Sequence, residues 1–186
     1  MNRFYTINSF IVVFLTAFLV AFCKLELAGH FPIDLYSSSF NEMLNYVTFS
    51  FSFFSVIVSW FFITILFHYT TFFFDAQGSF YKLLIHSGYG YFPLMIYSFV
   101  LFFLIEDISG DYLFLKSGEY SVPEIKKFLS EDNKILFLRF LSRFAQLLLL
   151  IWVVWGIKKY YGLSVSKSLI CVFIPLILIG IFLKYL

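Results

Sequence analysis

Five long apolar runs constrain this 186-residue chain more than any motif in it. They are Ile7–Cys23, Tyr46–Tyr69, Tyr89–Ile105, Leu136–Ile157 and Ser168–Tyr185, each bounded by charge, Gly or turn residues. A helix rises about 1.5 Å per residue, so roughly 20 apolar residues cross a hydrocarbon core of about 30 Å. Within lipid each backbone N–H and C=O must be satisfied inside its own segment, which makes such runs helices. The expected fold is all-α: a polytopic membrane protein, one integral membrane domain over residues 1–186, with five transmembrane helices. The first run resembles a leader, with Arg3 ahead of an apolar stretch. Bulky Phe22 stands where a lipoprotein signal before Cys23 needs a small residue, so the run is expected to be kept as the first span.

Composition agrees and excludes other classes. Hydrophobic residues make up 61% of the chain and charged ones 13%, against about 45–50% and 25% in soluble domains. A net charge of +2 offers nothing to attract a nucleic acid. The 29 phenylalanines are read as coding bias rather than an aromatic ligand cage. Cys23 and Cys171 sit in or beside apolar runs and read as small lipid-compatible residues, not as a disulfide or metal pair.

Packing positions follow from spacing. Thr48, Ser52, Ser55 and Ser59 recur at steps of four, three and four, so they share one helix face on which a neighbour can approach closely. A polar transport path would use the same hydroxyls. Gly88 and Gly90 permit a tight re-entry or a close helix contact, and Pro93 opens a span where first-turn N–H groups lack helical partners. Gly156 is assigned to packing too, and Pro175 is expected to kink the last span.

The connections carry the charge. The stretch from His68 to Ser87 reads as a polar loop. Between Glu106 and Lys134, Ser121 and Glu124 have the form of a capping box, and Ile125, Phe128 and Leu129 share a face. A short interfacial amphipathic helix before the fourth span is the expectation. Arg139 and Arg143 lie one turn apart with Gln146 on the same face, and Lys158 and Lys159 close the fourth span; all five are assigned to lipid or partner contact.

No HExxH, GxSxG, P-loop or paired-cysteine motif is present. His68, Asp75 and His86 share one polar stretch without diagnostic metal spacing. The expectation is therefore no enzyme, no cofactor and no metal. The deep part of every span lacks Asp, Glu and His, which counts against proton-coupled transport and intramembrane proteolysis.

Two stretches go beyond hydrophobicity: residues 77–96, QGSFYKLLIHSGYGYFPLMI, and residues 151–178, IWVVWGIKKYYGLSVSKSLICVFIPLIL. Gly78, Ser79, Phe80, Lys82, Gly88, Tyr89 and Pro93 in the first, with Trp152, Gly156, Lys158, Gly162, Leu163, Ser164, Lys167 and Pro175 in the second, resemble the Yip family. Its members are multi-spanning proteins named for interaction with Rab-type GTPases, with many bacterial relatives. The resemblance implies five spans, a cytoplasmic N-terminus and a C-terminus on the far side, although the count of Lys and Arg mildly favours the reverse. Two features depart from the family: Ala76-Gln77-Gly78 replaces paired glycines, and almost no polar segment precedes the first span. The second departure points to a bacterial-type member of a prokaryotic inner membrane and against direct GTPase recruitment. The functional expectation is a non-catalytic scaffold or accessory subunit in contact with membrane lipids and other integral membrane proteins. A small permease or channel is the alternative, and an enzyme of lipid headgroups, resting on the Arg139–Arg143–Gln146 face, comes third.

Overall fold

The structure is a computed structural model that describes residues 3–30, 38–111 and 132–185. Its helices are α1 (Arg3–His30), α2 (Ser38–Thr71), α3 (Phe80–Tyr89), α4 (Phe92–Asp111), α5 (Asn133–Tyr161) and α6 (Val165–Tyr185), with a 3-10 turn at Phe72–Phe74. The described residues contain no strand. The fold is all-helical and polytopic. Thr6–Glu26, Glu42–Phe74, Phe80–Ile105 and Asn133–Tyr161 are long and apolar enough to cross a membrane. The 21 residues of α6 rise about 31 Å, enough for a fifth crossing. The amphipathic helix expected near Ser121–Leu129 lies outside the described residues.

Helices outrun the apolar runs at both faces, because a helix keeps satisfying its own backbone after its side chains become polar. The stretch 68–87 therefore is not one loop. His68 belongs to α2, His86 to α3, and beyond the 3-10 turn only residues 75–79 are irregular. Asp75 enters that link at a left-handed φ of 52°. Ser79 caps α3, its hydroxyl accepting from Lys82 N at 3.4 Å. Asp132 caps α5 in the same way, its carboxylate accepting from Ile135 N at 3.0 Å. Gly162 ends α5 at φ 67°, its N–H donating to Lys158 O at 3.1 Å.

The third crossing is broken. Gly90 N donates to Ser87 O at 2.9 Å and Tyr91 N to Gly88 O at 3.1 Å, three residues back rather than four. Pro93 has no N–H to offer Tyr89, and regular bonding resumes with Met95 N to Tyr91 O at 2.9 Å. The half before the break, α3, wedges between α1, α2 and α5, and α4 continues between α1 and α5. α6 closes the arrangement against α2 and α5.

Phenylalanines knit the outer contacts. Phe10–Trp60, Phe14–Phe53 and Phe18–Phe49 pair α1 with an antiparallel α2 at ring separations of 5.3, 5.9 and 5.9 Å. Phe22–Phe102 joins α1 to a parallel α4 at 5.4 Å. Such pairs add to the area they bury, so part of the phenylalanine excess is structural.

Pro175 removes one bond from α6, the one its N–H would have made to Cys171 O. The Thr70 hydroxyl of α2 lies 2.8 Å from that carbonyl and supplies a donor from another helix. It lies equally close to Phe67 O, so its proton is shared between two acceptors. Cys171 Sγ returns the contact to Thr70 O at 3.6 Å. Thr70→Val, which keeps the shape but not the donor, should destabilise the protein by about 1–3 kcal/mol. Pro175→Ala should recover much of that loss in the Thr70→Val background, because an alanine N–H reaches Cys171 O itself. Thermal unfolding of the four-member cycle in detergent reads this coupling, and additive effects would refute it.

Candidate functional site

A broken helix in the centre of a membrane bundle must find donors for the carbonyls its break releases. Residues Leu83–Gly88 of α3 are all buried, and each neighbouring helix sends in a polar side chain. From α1, the Ser9 hydroxyl donates to Ile85 O at 2.7 Å. From α2, Trp60 Nε1 donates to Ser87 Oγ at 2.9 Å, and Thr64 Oγ1 lies 3.0 Å from the same hydroxyl. Ser87 in turn donates to Leu84 O at 2.9 Å. From α5, Trp152 Nε1 donates to His86 O at 2.9 Å, the carbonyl that the tightened turn at Gly90 leaves open.

His86 and Trp152 answer each other. The imidazole stacks on the indole at 4.9 Å with 5° between the planes, and His86 Nε2 lies 3.1 Å from Trp152 O. A carbonyl only accepts, so Nε2 carries the proton in this contact. Gly156 lets the imidazole in, because a Cβ there would overlap His86 Cδ2. A further pin joins His68 Nδ1 to the Tyr161 hydroxyl, and the Tyr161 ring fills the space a side chain at Gly78 would need. Lys159 Nζ sits 5.0 Å from the Trp155 ring centre and 5.6 Å from that of Tyr160. With His86 and Tyr89 these residues bound a cavity of about 190 Å³. Among the described residues, every buried side-chain nitrogen and oxygen has a hydrogen-bond partner.

The positions singled out in the sequence fall in several places. Along α2, Thr48 is half-buried, Ser52 buried and Ser55 half-buried, with Ser55 Oγ donating to Ser52 O at 2.8 Å. Ser59 is exposed and lines an apolar groove of about 1140 Å³ between α2 and α6, whose walls include Phe62, Leu66, Tyr69 and Pro175. Gly88 faces Ser9, whose hydroxyl a Cβ would overlap. A Cβ at Gly90 would stand 3.0 Å from Ser87 O and 3.3 Å from the Trp152 ring, and Pro93 is half-buried at the break. Arg139, Arg143 and Gln146 are exposed and line an open cavity of about 430 Å³ with Tyr97 and Ser142. Lys158 and Lys159 are exposed at the end of α5. His68, Asp75 and His86 occupy separate settings, and no cluster of three metal-ligating side chains occurs among the described residues.

Missing from the sequence-derived set are Ser9, Trp60, Thr64, Ser87 and Tyr161. A serine, a threonine or a tryptophan inside an apolar run looks the same whether it faces lipid or a neighbouring helix. The available signal was the cluster His86-Ser87-Gly88 beside an apolar run, which is costly unless its polar groups are met.

These polar pins, the broken third crossing and the helix order coincide with the extent of a recognised domain. A family model described as the Yip1 domain matches residues 5–186. The chain belongs to the Yip1 family. No curated protein and no solved structure matches it. In this Yip1 domain three of the residues that carried the resemblance meet at α3, with Gly88 against Ser9, Gly156 against His86 and Trp152 on His86, and Gly78 packs against Tyr161 just before it.

Ser87→Ala leaves the buried Trp60 N–H without its acceptor, and about 1–3 kcal/mol of stability should be lost. Detergent melts should show a lower midpoint, and Trp60 emission should shift. An unchanged midpoint would mean that the hydroxyl cluster does not hold α3.

Proposed function

We propose that this Yip1-family protein is a non-catalytic accessory subunit or scaffold of a larger membrane complex, resident in a prokaryotic cytoplasmic membrane. The observation that carries the reading is where α3 lies. The place between α1, α2 and α5 that a solute path would use is filled by Leu83–Gly88, and the polar groups there are spent on one another. A wide opening among the described residues instead lies between α2 and α6, as an apolar groove of about 1140 Å³. It suits a hydrophobic neighbour in the membrane plane. The face bearing Lys82, Lys158, Lys159 and Lys167 has Asp75 as its one acidic residue among those described; we assign that face to the cytoplasm.

Purification from the native membrane in mild detergent, followed by mass spectrometry, tests the reading. A stoichiometric integral membrane partner is expected. Ser59→Trp, at the groove wall, should cut its recovery several-fold without lowering the melting midpoint. Ser52→Trp should instead disturb the fold itself, because Ser52 is buried. Recovery of the protein alone, with solute flux in reconstituted vesicles, would replace this reading with a permease.

A further inference from the structure

We propose that the open cavity between α4 and α5 binds the phosphate of an anionic phospholipid through Arg139 and Arg143. Four observations converge on it. The first is depth. Fifteen positions separate Arg143 from Lys158, about 22 Å of helix. With the lysines at one boundary of a hydrocarbon core of about 30 Å, the Arg143 backbone lies well inside the opposite boundary, and Arg139 close to it. An arginine at that depth must reach outward or draw polar groups inward.

The second is the lack of a counter-charge among the described residues. The cavity lining holds no Asp or Glu, and neither guanidinium has an ion-pair partner among the described residues. The third is the company the arginines keep. Ser142, between them in the chain, reaches the Tyr97 phenol of α4, and Gln146 Nε2 approaches Ser142 Oγ at 3.5 Å. Hydroxyl and amide donors therefore border the two guanidiniums. Planar guanidiniums one turn apart match the paired oxygens of a phosphate better than point-charge ammoniums do.

The fourth is access and room. The cavity of about 430 Å³ is open and accommodates a phosphate with its glycerol. Exposed Phe140, Phe144 and Leu147 on α5 offer acyl chains an apolar surface beside it. This proposal is independent of the accessory-subunit reading, since it concerns a lipid held by the protein itself.

The test is native mass spectrometry of the purified full chain in mild detergent, titrated separately with phosphatidylglycerol, phosphatidylcholine and diacylglycerol. Inorganic phosphate serves as a competitor. The wild type should retain phosphatidylglycerol several-fold over diacylglycerol, with phosphatidylcholine between them. The R139Q/R143Q variant should lose that preference, whereas K158Q/K159Q should keep it. R139K/R143K controls for folding: it keeps both charges and should retain part of the preference. Unchanged preference in R139Q/R143Q, or equal retention of diacylglycerol, would overturn the proposal. Displacement of the lipid by millimolar inorganic phosphate would assign the site to free phosphate and overturn the lipid assignment. Co-purification of a protein bound through these arginines, with no lipid preference, would assign them to a partner carboxylate instead.

Discussion

The arrangement depends on satisfying the backbone of α3 without water. A continuous helix does this alone, but the Gly88–Pro93 break releases the carbonyl of His86, and Trp152 supplies the missing donor. Three other bundle helices are committed by that demand. α1 must place Ser9, α2 must place Trp60 and Thr64, and α5 must place Trp152 at one depth. Each hydrogen bond is modest by itself, but an unmet polar group in an apolar interior costs more than a made bond contributes. Lipid offers apolar contact too, so close packing and these few directional contacts together set the helix positions.

Close approach is the second requirement. Gly88, Gly156 and Gly78 each face a side chain that would collide with a Cβ: the Ser9 hydroxyl, the His86 ring and the Tyr161 ring. Hydrogen bonds to a buried backbone are short, so they need the helices near, and glycine makes the space. Pro175 and Thr70 repeat the logic elsewhere in the bundle. One residue opens a carbonyl and a neighbouring helix closes it.

Much of the architecture was legible in the chain, and the part that was not has a definite cause. The hydropathy of Ile7–Cys23 and its counterparts suffices for the long apolar helices, four of them long enough to cross and a fifth apolar one, because lipid demands length and apolarity before anything else. The spacing of Thr48, Ser52, Ser55 and Ser59 marks a single face of α2, yet burial along it varies from buried Ser52 to exposed Ser59. Periodicity reports direction around one helix and not where its neighbours stop. By sequence the stretch 68–87 reads as a loop because His68, Asp75, Lys82 and His86 are polar. Inside the bundle the two histidines meet Tyr161 and Trp152, so their polarity is absorbed and the helices extend. Arg139, Arg143 and Gln146 were legible as one face, whereas Tyr97, on another helix and 42 positions or more away in sequence, required the fold.

The distance along the chain between α3 and its pins has a consequence for assembly. Ser9, Trp60 and Thr64 precede α3, but Trp152 lies 66 residues beyond its partner His86. When the third crossing first enters the membrane, the carbonyl at its break has no indole to meet it. Until α5 arrives, that segment must keep to the interface, borrow water, or lean on the insertion machinery. The set of pins on α3 is therefore complete only when α5 is in place, and a chain halted before Trp152 would carry an apolar-flanked helix with an unmet carbonyl.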